Sequence, residues 1–68
     1  SMPVFKVEGM SCQHCVAAIT RAVQTLDAAA GVEIDLASGV VKVASNVAAQ
    51  ALLRALADAG YAATLSQG

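Results

Sequence analysis

Val32-Glu33-Ile34-Asp35-Leu36-Ala37-Ser38-Gly39-Val40-Val41-Lys42-Val43-Ala44 is the stretch that decides the fold. Val32, Ile34 and Leu36 alternate with Glu33 and Asp35, the period of a strand with one buried and one wet face. Ala37-Ser38-Gly39 then supplies turn residues, and Val40 to Ala44 resumes the alternation with Val41 and Val43 facing inward and Lys42 outward. The segment predicts a β-hairpin.

Working outward, each arm of the hairpin meets a helical period and then another strand. On the amino-terminal side, Val16, Ile19, Val23 and Leu26 recur three, four and three apart, with Arg21 and Gln24 on the opposite side. This predicts an amphipathic helix from Cys15 to Leu26, closed by Ala28 to Gly31. Before it, Val4-Phe5-Lys6-Val7-Glu8 alternates and Gly9 ends it. On the carboxyl-terminal side, Ser45 or Asn46 is positioned to cap a second helix with Ala49, Leu52, Leu53 and Leu56 as its buried stripe. Gln50, Arg54 and Asp58 follow its exposed line, Gly60 stops it, and Tyr61 to Leu65 forms a last strand. The order is βαββαβ. It predicts an α+β, ferredoxin-like open-faced sandwich: a four-stranded antiparallel sheet with two helices on one face. With 68 residues there is core for one domain only, expected over residues 2–66 with Met2 as the natural start.

Composition narrows the function. The apolar fraction is 57%, but sixteen of those residues are alanine. Charged or turn residues interrupt every run before the roughly 18 to 20 needed to span a membrane, so no membrane insertion is expected. Nothing resembles a leader peptide, which points to the cytoplasm. Lys6, Arg21, Lys42 and Arg54 are scattered and the formal net charge is -1, so nucleic acid is not an expected partner. No catalytic constellation is evident, and the chain does not read as an enzyme.

The chemistry lies in Gly9-Met10-Ser11-Cys12-Gln13-His14-Cys15, between the first strand and the first helix. Unpaired amides and the positive end of the helix dipole favour thiolate over thiol, and thiolate is the metal-binding form. Two soft thiolates without neighbouring carboxylates suit a soft d10 ion such as Cu(I) or Hg(II), whereas structural Zn(II) normally takes four ligands. A thioredoxin-like redox pair is the alternative use of C-x-x-C, although that motif belongs to another α/β context.

That heptad resembles the G-M-x-C-x-x-C signature of the heavy-metal-associated domain family, and in particular its CopZ-type bacterial copper chaperones. The similarity extends from Val4 to Leu65 and includes the Gly60-Tyr61 pair. It implies a βαββαβ fold, Cu(I) held by Cys12 and Cys15, and transfer to a metal-binding domain of a copper-transporting P-type ATPase. It also implies a monomer, or a dimer bridged by copper. An amino-terminal domain of such an ATPase and a mercury-binding protein remain alternatives. Richness in alanine and the plain Ala28-Ala29-Ala30 link depart from the family pattern without touching the motif.

The residues around the pair have competing uses. His14 is a candidate auxiliary ligand, although an exposed loop histidine without that role is the commoner outcome. Met10 carries a thioether, but at a strand end it more often anchors the loop by packing. Tyr61 can close the core edge, or stand beside the metal loop, where the resemblance places a supporting residue. Ala17 and Ala18 are good helix formers, and their small side chains would also let a partner's thiolates approach.

Overall fold

The computed structural model describes residues 2–67. Its elements are β1 (Val4–Glu8), α1 (Gln13–Leu26), β2 (Gly31–Asp35), β3 (Val40–Ala44), α2 (Ala49–Asp58) and β4 (Ala62–Gln67). The strands form one antiparallel sheet in the order β2-β3-β1-β4. This is the βαββαβ sandwich that the two periodicities predict. The inward residues of the central strands, Phe5 and Val7 of β1 with Val41 and Val43 of β3, meet Ile19 and Val23 of α1 and Leu52 and Leu56 of α2. All eight are buried, and burying each such side chain stabilises by about 1.5–3 kcal/mol before entropy is counted. No polar side chain is buried among the described residues.

Element ends differ from the periodic reading wherever a hydrogen bond, not a side-chain pattern, sets the boundary. α1 begins at Gln13, two residues before the expected Cys15, because Cys12 is extended and its carbonyl accepts the Cys15 N–H at 3.0 Å. β2 starts at Gly31, which pairs with Ala44, and ends at Asp35. The Asp35 carboxylate accepts the Ala37 N–H at 3.0 Å and its carbonyl accepts the Gly39 N–H at 2.9 Å, which turns Leu36 out of the ladder. β4 starts one residue late because the Tyr61 N–H is committed to the Leu56 carbonyl at 3.0 Å.

Two further expectations are corrected. Neither Ser45 nor Asn46 caps α2, whose N-cap is Ala48 without a side-chain acceptor. Ser45 instead donates to the Asp27 carboxylate at 2.7 Å and accepts the Val47 N–H at 3.1 Å, tying the β3–α2 loop to the end of α1. Leu26 leaves the buried stripe at 47% exposed, because it is the last residue of α1 and lies over the groove toward α2. Val16, Ala49 and Leu53 are half-buried at the margin of the core.

Gly39 holds the hairpin against β1. It adopts φ +74°, its carbonyl accepts the Val7 N–H at 2.7 Å, and a Cβ there would lie 2.7 Å from the Val7 carbonyl oxygen. Only glycine permits that approach.

Candidate metal centre

The two cysteines come together through helix geometry. Cys12 is the N-cap of α1 and Cys15 its third residue, and an N-cap side chain naturally points toward the amide of that third residue. Cys12 Sγ lies 3.8 Å from Cys15 Sγ. Both thiols are free, Cys12 exposed and Cys15 half-buried. The Cys12 side chain makes no capping hydrogen bond, and no carboxylate occupies the first turn of α1. The sulfurs are therefore the anionic groups available at the positive end of this helix.

The acidity of Cys15 has structural causes. Its pKa is drawn down from about 9 to about 7, first by the hydrogen bond that the Tyr61 hydroxyl donates to the thiolate and next by the Ser11 backbone N–H. Partial desolvation opposes them, and the Cys12 backbone and thiol add smaller support. Reciprocally, the Cys15 thiolate pushes the Tyr61 hydroxyl upward. In the thiol form Cys15 also makes a long contact with the Gly9 carbonyl, at 3.9 Å.

The end of α2 delivers Tyr61 to this place. Gly60, at φ +96°, sends its N–H to the Ala57 carbonyl at 2.9 Å while Tyr61 bonds back to Leu56. This paired arrangement terminates the helix and folds the next side chain over its last turn. Tyr61 is half-buried against the core and adjoins Cys15.

The other candidates differ in their surroundings. Met10 is half-buried and packs on the core, and His14 is exposed. Among the described residues no three His, Cys, Asp or Glu side chains gather into a metal-holding group. Ala17 is exposed on the first turns of α1, and Ala18 is half-buried. The Ser11 amide and Gly9 carbonyl were not legible as site groups, because backbone atoms carry no residue signal. The one available cue is that C-x-x-C has the N-cap to third-residue spacing of a capping box.

A pair of free cysteines at a helix N-terminus, on an exposed loop of a ferredoxin-like sandwich, is an arrangement whose chemistry suits a thiophilic metal. The heavy-metal-associated domain profile matches residues 4–62, and the chain belongs to that family. It is 42% identical over 59 residues to the copper chaperone CopZ of Bacillus subtilis, covering 82% of this chain and 86% of the relative. The structure of the copper chaperone Atx1 from Synechocystis PCC6803 superposes with a TM-score of 0.87 at 38% identity, over 90% of this chain and 97% of that one. The N-terminal domain of PacS from the same organism superposes with a TM-score of 0.87 at 25% identity, over 98% of each.

Proposed function

We propose that this chain is a cytoplasmic carrier that binds one Cu(I) between Cys12 and Cys15 and passes it to a metal-binding domain of a copper-transporting P-type ATPase, with no catalysis of its own. The observation that carries this reading is the sulfur pair, 3.8 Å apart on an exposed loop, with no third His, Cys, Asp or Glu gathered around it among the described residues. Two thiolates favour a soft ion, while a closed tetrahedral Zn(II) site would need two more donors. The likeness to copper chaperones supports copper as the cargo.

Exposure of Cys12 serves delivery. An incoming thiolate can attach to the ion before an old one leaves, so bare metal is never released. The Tyr61 hydroxyl and Ser11 amide draw the Cys15 pKa down to about 7, so a substantial share of Cys15 is thiolate near neutral pH, the form that binds metal. No helix among the described residues is long and apolar enough to cross a membrane.

The likeness to the N-terminal domain of PacS favours a second reading, in which this fold is the receiving domain of a transporter. Both readings share the site and differ in the direction of transfer. The test is a titration with Cu(I) against a strong chelator, repeated with Zn(II). One chelator-resistant Cu(I) per chain is expected, lost in Cys12→Ser and in Cys15→Ser; undiminished binding in the double variant would sink the assignment.

A further inference from the structure

β4 and β2 form the two outer edges of the sheet, and they are built differently. Which backbone groups β4 exposes follows from strand alternation. The Val7 N–H donates to the Gly39 carbonyl and the Pro3 carbonyl accepts the Val43 N–H, so alternate residues from Pro3 to Val7 turn their backbone groups toward β3. Lys6 and Glu8 turn theirs the other way, toward β4, where they face Thr64 and Ala62. Ala63 and Leu65 therefore point their amides and carbonyls away from the sheet. No turn or loop hydrogen bond among the described residues takes them up.

An open edge takes up another strand unless something repels it. On β2, Glu33 and Asp35 are exposed, and a second copy laid along that edge would bring carboxylates together. β4 has six residues and carries neither a charge nor a proline. Leu65 adds an apolar incentive. Its register partner is the fully buried Phe5, so it stands on the face of the sheet that the helices cover, yet it is 41% exposed. A strand beyond β4 would complete its cover. The register with β1 skips Ser66, and this bulge limits the straight part of the edge to residues 62–65.

We propose that β4 is a self-association edge, through which two copies of this chain join antiparallel about a two-fold axis at Thr64. In that register Ala63 of each copy faces Leu65 of the other, and each such pair exchanges both of its backbone bonds. The two Thr64 side chains meet directly opposite one another on the outer face, a favourable cross-strand pair. On the helix face each Leu65 covers Ala63 of the other copy, and the two leucines lie diagonally within reach. This self-match names the occupant: the strand offers its own copy apolar against apolar, hydroxyl against hydroxyl, and no charge against a like charge. The contact is too short for a permanent interface, so the dimer is transient and forms as concentration rises. It draws on no cysteine and needs no metal.

Sedimentation equilibrium and amide hydrogen exchange test this on the full chain, reduced and metal-free so that no copper bridge can form, at concentrations up to about 1 mM. A monomer–dimer equilibrium is expected, in which exchange at Ala63 and Leu65 slows as concentration rises while Ala62 and Thr64, held in the ladder with β1, are protected throughout. Thr64→Lys sets like charges opposite each other and should weaken the dimer by more than about 10-fold. Thr64 is exposed, so the fold tolerates the change. Mixing Thr64→Lys with Thr64→Glu should restore a dimer that neither variant forms alone. A chain that stays monomeric at every concentration would overturn the proposal, as would a dimer that Thr64→Lys leaves intact or a mixture that fails to associate. Protection of Ala63 and Leu65 only on adding a transporter metal-binding domain would also overturn it, by giving the edge to that partner.

Discussion

The two strand-to-helix connections of this pseudo-symmetric fold occupy equivalent positions and are built in opposite ways. The β3–α2 connection is clasped: Ser45 bridges to the Asp27 carboxylate at 2.7 Å, receives the Val47 amide, and Val47 packs on the core. The β1–α1 connection is left open at its tip, with Cys12 exposed and its side chain unused as a cap. Neither helix has a side-chain N-cap, so each gives up the ~1 kcal/mol that Ser, Thr, Asp or Asn supplies there. At α2 that loss sits beside a clasp. At α1 it frees two sulfurs for a ligand, which is where a scaffold can carry chemistry on a loop.

Substitutions at the two connections should separate affinity from stability. The largest effect is expected from Cys12→Ser or Cys15→Ser, which should weaken Cu(I) binding by more than the 10- to 100-fold typical of losing an outer supporting group, with little change in the melting of the metal-free chain. Chelator competition alongside thermal denaturation checks both halves of that statement. Gly39→Ala should do the reverse, costing about 1–3 kcal/mol, because a Cβ there meets the Val7 carbonyl oxygen at 2.7 Å and φ is +74°. Urea denaturation reads it, and an unchanged midpoint would mean that the hairpin is not held as described. Ser45→Ala should cost about 1 kcal/mol through the lost clasp and leave copper affinity alone; a matching loss of affinity would erase the contrast between the connections.

A finer test concerns acidity. Because the folded pKa of Cys15 lies near 7, below the ordinary 9, its thiolate adds stability to the metal-free chain that is complete above pH 9 and lost as pH falls through 7. Tyr61→Phe should raise that pKa and flatten the stability gain between those limits. The pH dependence of Cys15 alkylation, followed site by site, measures the shift; an unaltered profile would remove Tyr61 from the site. The smallest effect on affinity is expected at Ala17. As the exposed member of the alanine pair, it is the cleaner probe of docking than half-buried Ala18. Ala17→Glu should slow transfer to an ATPase metal-binding domain while copper affinity holds, and equal losses in both would put the docking face elsewhere.

The alternation in Val4–Glu8 and Val40–Ala44, and the helical spacing of Ile19, Val23, Leu52 and Leu56, made the six elements and most of the core readable before any coordinates. Periodicity reports burial, and these residues are the ones whose burial is complete. It failed where polar geometry decides. Asp35 drew Leu36 into a turn, Ser45 chose Asp27 over the helix amides, and Leu26 lost its cover when α1 ended. At the site, spacing alone placed both sulfurs on one helix end. The meeting of Tyr61 with Cys15 joins residues from opposite halves of the chain, so no local pattern could show it; only the resemblance through Gly60-Tyr61 pointed there.

The helix ending at Gly60 has a consequence for quality control of the cargo. The phenol that sustains the Cys15 thiolate arrives from the far half of the molecule, delivered by the Tyr61 amide bonding to Leu56. A nicked, half-synthesised or unfolded chain still carries the C-x-x-C pair, yet its Cys15 returns to ordinary thiol acidity and competes less well for metal near neutral pH. On the proposed copper-carrying reading, retention of the ion would then depend on both halves being present and folded together.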